Sequence, residues 1–253
     1  MKNKKAQTTV FMLLGIVILI ALILLYFIRS EQIKSYLGIE EKIDPTLQPL
    51  KTEVESCMED IADEGLKLLG LQGGRIYSRS GYLQVGNGKL FYLGQHSQSM
   101  VPTNDMVEKD LSNFMVTNLK ECAKNFTSSQ YPIREDAGPK AKAEIKDKQV
   151  IFQVIWPLTL VRKGDYKLTN FKYETPKENT QTKSMIRLGK LLDIAKDIVG
   201  NTCIARKAID SIIDEEPSVS ITYTHYKGDT LYFLEDNNYM FRFAISRCLA
   251  KSP

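Results

Sequence analysis

The side chains with the strongest potential for chemistry in this sequence are two histidines and four cysteines. The histidines, His96 and His225, are not part of the GxSxG or HExxH patterns of serine hydrolases and zinc proteases. The acidic stretches lack the spacing of a calcium-binding loop, and the glycines that follow Leu69 come after a helical pattern rather than before one, unlike a phosphate-binding loop. We therefore predict no enzyme activity, no cofactor, no metal site and no catalytic residue. A pair of carboxylates that meet in a cleft, as in glycosidases, is the open alternative.

The four cysteines are Cys57, Cys122, Cys203 and Cys248, and no two of them have the close CxxC-type spacing of zinc and redox sites. Their number is even, so we predict two disulfides, Cys57–Cys122 and Cys203–Cys248. Each pair joins predicted elements of one lobe of the chain. Buried free thiols are the alternative.

One uncharged apolar stretch, Val10–Ile28, precedes all of these residues. A helix of this length spans about 28 Å, close to the hydrocarbon thickness of a bilayer, so we predict a single transmembrane helix in contact with lipid. Lys2, Lys4 and Lys5 come before it, which indicates a cytoplasmic N-terminus and an extracytoplasmic region from Ser30 to Pro253. Such a protein is located in the cell membrane, and its cysteines lie where disulfides persist. In that compartment Asn125, which begins an Asn-Phe-Thr sequon, is a glycosylation candidate.

The leader contains the sequence Lys4-Lys5-Ala6-Gln7 directly before the apolar stretch. It resembles the class III signal peptides of archaeal type IV pilin-like proteins, and this resemblance implies cleavage between Ala6 and Gln7. Many pilins carry a glutamate where this sequence has Phe11, which disfavours the shaft of a major pilus. The rest, with its LLGLQGGRI stretch after Cys57, resembles single-pass membrane proteins of small-genome archaea that have no characterised activity. An ordinary uncleaved anchor is the alternative.

The net charge of +4 does not indicate a nucleic-acid partner. Of the 34 basic residues, three lie in residues 1–6, which leaves 31 against 30 acidic residues in the remainder. No block of Lys and Arg in that remainder forms a phosphate-binding face, so we predict no binding of nucleic acid.

The first part of the extracytoplasmic region has helical, then strand, then helical patterns. Apolar residues recur at helical spacing over Pro49–Leu71 and again over Met106–Phe126. Between them, Arg75–Gly94 has the alternation of a β-hairpin with Asn87-Gly88 at its tip. This register places Leu83, Val85, Leu90 and Tyr92 on one face.

The second part begins after a linker rich in proline and glycine. A strand meander with a bulge or edge at Pro157 is expected first, and helices and three more strands follow. The predicted strands are Ala141–Ile145, Val150–Val161, Tyr166–Tyr173, Val219–Tyr226, Thr230–Leu234 and Tyr239–Cys248, and the predicted helices are Met185–Val199 and Thr202–Ile213.

We therefore predict an α+β fold with an N-terminal transmembrane helix and an extracytoplasmic region of helices, antiparallel β-hairpins and a meander in two lobes. The expected divisions are a basic leader (1–6), the transmembrane helix and stalk (7–44), a first lobe (45–135) and a second lobe (140–253). The predicted function is that of a single-pass, membrane-anchored, pilin-like protein with a structural or interaction role. Its expected partners are other pilin-like or envelope proteins. A membrane-tethered envelope hydrolase or ligand-binding protein is the alternative, which a concave pocket with converging polar groups would favour.

Overall fold

A computed structural model describes Ile18 and residues 44–77, 80–95, 98–124, 126, 132–161, 166–178, 185–200 and 211–246. The chain divides into two compact units, Met1–Pro45 and Thr46–Pro253. The fold described below is that of the second unit.

Three long helices in this unit lie close to their predicted positions. They are α1 (Gln48–Leu71), α2 (Asn104–Ala123) and α3 (Leu188–Gly200). A short 3-10 turn, Pro45–Leu47, leads into α1, and residues 211–215 are also helical. Thr103 caps α2, because its hydroxyl accepts a hydrogen bond from the backbone N–H of Met106.

In the described part of the chain, ten strands form two sheets. The strands are β1 (Tyr82–Val85), β2 (Gly88–Gln95), β3 (Gln98–Ser99), β4 (Ile133–Glu135), β5 (Lys140–Ile145), β6 (Val150–Leu160), β7 (Tyr166–Glu174), β8 (Val219–Tyr226), β9 (Asp229–Asp236) and β10 (Tyr239–Ile245). One sheet has the order β1-β2-β10-β9-β8, with β3 beside β2. In the other, β6 is central, with β4 and β5 along one side and β7 along the other. The predicted bulge is confirmed, since the β6–β7 register shifts between Ile155 and Leu158, around Pro157.

The first sheet joins strands from both halves of the chain. Strand β2 pairs in parallel with β10, with Tyr92 opposite Ala244 and Gly94 opposite Ile245. The sheet is therefore mixed rather than antiparallel. The fold is α+β, but the predicted arrangement in two successive lobes is wrong, because a hairpin assigned to the first lobe shares a sheet with the last strand of the second.

The predicted fold class also included a transmembrane helix, and the described residues do not contain one. None of their helices is both long enough and apolar enough to cross a membrane. Within Val10–Ile28 only Ile18 is described, and it is helical; the other residues of that stretch lie outside the described part of the chain.

Helix α1 is the centre of the core. Ten of its residues are buried, from Leu50 to Gly70, and it packs against α2, β7 and β10. Its apolar face is wider than that of a surface helix because neighbours cover it on several sides. Helix α3 lies on the same face of the first sheet as α1. Its buried apolar residues include Leu188, Leu192 and Ile198.

The turn after α1 explains the LLGLQGGRI stretch in structural terms. Next to the two parallel residue pairs of β2 and β10, Gln72 lies between these strands. Its carbonyl accepts a hydrogen bond from Phe91 N at 3.1 Å. Arg242 of β10 donates from Nε to the carbonyl of Leu71 at 2.5 Å. Gly73 has a φ of +82°, a left-handed conformation that glycine adopts at low cost. This segment therefore holds helix and sheet together.

The first hairpin has the predicted faces but a different turn. Leu83 lies opposite Leu90, and Val85 lies opposite Gly88, so the turn residues are Gly86 and Asn87. The tip is one residue earlier than predicted. Leu83, Val85 and Tyr92 pack around a small cluster formed by Leu90, Leu231 and Ala244 on the sheet face opposite the helices.

Candidate functional site

The first predicted disulfide is confirmed. Cys57 of α1 and Cys122 of α2 are bonded, with their Cα atoms 6.4 Å apart. The bridge closes a loop of 65 residues and ties the two central helices together. Loop closure of this length stabilises a fold by about 4 kcal/mol in the chain-entropy description.

The other predicted site residues lie outside the described part of the chain. They are the leader residues Ala6 and Gln7, the second cysteine pair Cys203 and Cys248, and the glycosylation candidate Asn125. Cleavage, the second disulfide and glycosylation therefore stay predictions.

Among the described residues, no cluster of three or more His, Cys, Asp or Glu side chains could hold a metal ion. His225 is exposed on β8, where its Nδ1 lies 3.2 Å from the Thr230 hydroxyl, and His96 is not described. The buried carboxylate of Asp110 accepts hydrogen bonds from Arg75 Nε at 2.9 Å and from the backbone of Ile76 at 3.0 Å. The role of that carboxylate is to fix the chain after α1.

A cleft of about 860 Å³ lies at the end of α2, between that helix and strands β4 and β6. Its polar groups do not converge on one point. Lys124 pairs with Glu121 at 2.6 Å, and Glu135 accepts a hydrogen bond from Trp156 Nε1 at 2.9 Å. Trp156 is only 1% exposed, so its ring lines the wall of the cleft and is not accessible for a ligand to stack on. Among the described residues that line this cleft, these polar groups are engaged with their neighbours.

The β8 edge, defined as Val219–Tyr226 at the margin of the first sheet, is the feature best suited to binding. Eight consecutive residues, VSITYTHY, include no Asp, Glu, Lys or Arg and one histidine, and most of them are exposed. No described residue pairs with the outer side of this strand. Unpaired backbone groups on a long strand are a template for another strand.

The turn between β8 and β9 determines which backbone groups point outwards. Lys227 and Gly228 both have positive φ values, +51° and +95°, and Tyr226 lies opposite Asp229. In such a two-residue turn the flanking pair exchanges both hydrogen bonds, and every second residue along the strand does the same. The groups of Ile221, Tyr223 and His225 therefore face outwards. Val219 agrees with this pattern, because its N–H turns away from β9 to the carbonyl of Glu216 at 3.0 Å.

An aromatic ladder stiffens the middle of the β8 edge. The ring of Tyr223, which is 45% exposed, lies 5.9 Å from that of Tyr232 on β9. Tyr232 in turn stacks on Phe243 of β10, with ring centroids 5.3 Å apart and an angle of 14°. Cross-strand aromatic pairs of this kind stabilise a sheet, so the exposed tyrosine is connected to the core.

An ion-pair network holds the beginning of β8. The guanidinium of Arg187, just before α3, donates to both oxygens of Asp236 at 2.8 Å and to the hydroxyl of Ser218 at 2.6 Å. Glu216 contacts Lys190 at 2.7 Å and Arg187 at 3.4 Å. Hydrogen bonds from Lys190 and Arg187 lower the pKa of Glu216, and the hydrogen bonds to Asp236 raise the pKa of Arg187. The strand is therefore held rigidly at its start.

The other edges are protected, which sets the β8 edge apart. Strand β5 is covered by α2, where Ser112 accepts a hydrogen bond from Ala143 N and Glu108 accepts one from Ile145 N, both at 2.8 Å. Strand β7 carries three charged side chains, and β1 has only four residues. Charges, covering helices and short length are the usual means of preventing strand addition.

Comparisons of the chain with protein-family models, with curated proteins and with solved structures give no match. Sequence patterns identified β8 as a strand but not as an edge, and they missed the Arg187–Asp236 pair. The one available signal was the uncharged VSITYTHY segment in a chain rich in charge.

Proposed function

We propose that this protein has a structural or interaction role outside the cytoplasm and that it binds another polypeptide by strand addition at the β8 edge. The observation that carries the proposal is the long outer side of β8, which has no Asp, Glu, Lys or Arg and which no described strand pairs with. Main-chain hydrogen bonds supply the affinity in this mode of binding, and the alternating side chains supply specificity. The expected partner is a pilin-like or envelope protein.

Two further observations support this assignment. The Cys57–Cys122 disulfide is typical of proteins that work in an oxidising compartment. The resemblance of Lys4–Gln7 to pilin-like leaders is consistent with a role in surface assemblies, where subunits contact one another. We place the envelope hydrolase and the ligand-binding protein second, because the polar groups of the cleft beside Trp156 are engaged with their neighbours.

The experiment is site-specific photo-crosslinking in the cells that make the protein. A photo-reactive amino acid replaces Thr224, an exposed residue of β8, and in a matched control it replaces Asn170, a residue of the charged edge strand β7. Both sites are uncharged and lie within an edge strand. We expect covalent adducts from the probe at Thr224 and few from the probe at Asn170. Absence of adducts at Thr224, or equal yields at both sites, would contradict the proposal.

A further inference from the structure

We propose that the strand added at the β8 edge is β8 of a second copy of this chain, antiparallel to the first and related to it by a two-fold axis at Tyr223. This inference rests on the proposed function, because it names the partner for the same edge. The two sheets then become one continuous sheet across the axis.

The outward backbone groups fix the register. Along the strand, Ile221, Tyr223 and His225 have both groups directed outwards, whereas the N–H of Val219 is already bonded to Glu216. An axis at Tyr223 places this residue opposite its own copy and places Ile221 opposite His225. All three residues then exchange both bonds with the second strand, which gives about six backbone hydrogen bonds. An axis at Thr222 would require the occupied N–H of Val219.

The side chains also suit this register. A two-fold axis perpendicular to the sheet keeps equivalent faces on the same side, so the two Tyr223 rings meet and extend the ladder through Tyr232 in each copy. On the opposite face Thr222 lies across from Thr224, a pair that is favourable between antiparallel strands. Both threonines are exposed in the single chain.

Charge favours a second copy over an unrelated strand. A strand that pairs with itself brings charged residues close to identical ones, and β8 has no Asp, Glu, Lys or Arg. Charged residues lie only beyond its ends: Asp214 and Glu215 come before the strand, and Lys227 and Asp229 follow it. In the antiparallel arrangement Lys227 of one copy lies opposite Val219 of the other, on the side of the two acidic residues. No like charges are therefore brought opposite each other within the paired strands.

The contact is small, because it consists of one strand and its neighbouring side chains. Interfaces of this size form weak, concentration-dependent assemblies. A weak contact suits a subunit that is concentrated at a surface. It predicts a dimer in equilibrium with monomer for the purified chain.

The first test is covalent trapping of the register. The full chain, purified in a mild detergent because Val10–Ile28 is apolar, is oxidised as Tyr223→Cys or as Thr222→Cys. Directly opposed, hydrogen-bonded positions have Cα atoms about 5.5 Å apart, within the range of a disulfide. Position 222 lies diagonal to its own copy at roughly 7–8 Å and should link poorly. Mass mapping should find position 223 linked to itself. Equal linkage at both positions, or linkage at neither, would overturn the register.

The second test separates the backbone from the side chain. Proline in Tyr223→Pro removes an outward N–H and leaves the β8–β9 ladder intact, whereas Tyr223→Val removes the ring and keeps the N–H. Sedimentation in density-matched detergent should show association weakened about tenfold or more by proline and less by valine. If both variants associate like the wild type, the dimer does not use β8 and the inference fails.

The photo-crosslinking experiment distinguishes this inference from the proposed function. Adducts at Thr224 that contain two copies of the chain support both. Adducts that contain only a different protein support the function and overturn the self-association. Absence of any adduct overturns both.

Discussion

Replacing Gly70 with alanine should destabilise the protein, although alanine is normally the better helix residue. Gly70 is buried near the end of α1, where the helix approaches β10 closely. A Cβ atom there would overlap the carbonyl oxygen of Met240 and lie 2.8 Å from the Tyr239 hydroxyl oxygen. Because the nearest obstacle is backbone, the overlap can be relieved only if α1 moves away from the sheet.

The expected magnitude combines three effects. Overpacking of a core typically costs about 1–3 kcal/mol. Moving the helix also weakens the hydrogen bond from the Tyr239 hydroxyl to the Leu66 carbonyl, which is 2.8 Å long and contributes about 1 kcal/mol. The higher helix propensity of alanine offsets about 1 kcal/mol. We expect a net decrease of about 2 kcal/mol in the free energy of unfolding.

The assay is urea-induced unfolding of the full chain, followed by far-ultraviolet circular dichroism and by the fluorescence of Trp156. The matched control is Gly200→Ala, because this glycine ends α3 and, outside its chain neighbours and its own helix backbone, no described atom lies within 4 Å of the position that a Cβ atom would take there. The control should change the free energy by no more than about 0.5 kcal/mol. The reasoning is refuted if Gly70→Ala is as stable as the wild type, or if Gly200→Ala loses as much.

Three further predictions concern the bridge, the ion pair and a tyrosine. Replacing Cys57 and Cys122 together with serine should lower the free energy of unfolding by about 4 kcal/mol in non-reducing urea titrations. Arg187→Gln should cost about 3–5 kcal/mol in the same assay, because it leaves the carboxylate of Asp236, which is 1% exposed, without its partner. Burial, with a smaller effect of the hydrogen bond to a neighbouring carboxylate, raises the pKa of Tyr92 from 10.0 to about 12. The stability that neutral Tyr92 contributes is therefore complete below about pH 10 and is lost as the pH rises towards about 12, and Tyr92→Phe should flatten this decline.

Each of these predictions has an outcome that contradicts it. If the double serine variant unfolds at the same urea concentration as the wild type, the Cys57–Cys122 bridge does not supply the stability assigned to it. Arg187→Lys should lose less than Arg187→Gln, because it keeps the charge and loses only the two-pronged geometry, and the reverse order would contradict the ion-pair explanation. Equal alkaline slopes for wild type and Tyr92→Phe would show that other groups cause the loss.

Local features of this fold are predictable because short-range chemistry determines them. Helix α1 follows from the three- and four-residue spacing of its apolar residues, and Pro157 marks the bulge in β6 because proline cannot donate to a ladder. The cysteine pairing was also correct where it is described, since Cys57 and Cys122 both lie on helices that pack together. The tip of the first hairpin was displaced by one residue because two adjacent glycine-containing turns fit the same alternation.

The pairing of distant elements could not be predicted in the same way. The parallel contact of β2 and β10 covers only two residue pairs, so neither strand carries a distinct pattern for it. Much of the attachment is made instead by the Gln72 turn and by Arg242, which bonds to a helix carbonyl. These contacts depend on tertiary structure. The spacing of apolar residues within one segment therefore does not predict them.

The position of β8 at a sheet margin follows from that same long-range pairing. Because β2 occupies the side of β10 away from β9, the first sheet is extended in one direction by the hairpin β1–β2 and ends in the other at β8. If the chain formed two separate lobes, β2 would not pair with β10. Both β10 and β8 would then be long edge strands. The absence of Asp, Glu, Lys and Arg from Val219–Tyr226 makes β8 suited to strand addition only because, in the observed arrangement, β8 is an edge strand. There, the Arg187 network holds the start of the strand, the Tyr223 ladder holds its middle, and its outer backbone groups are left to bind a second strand.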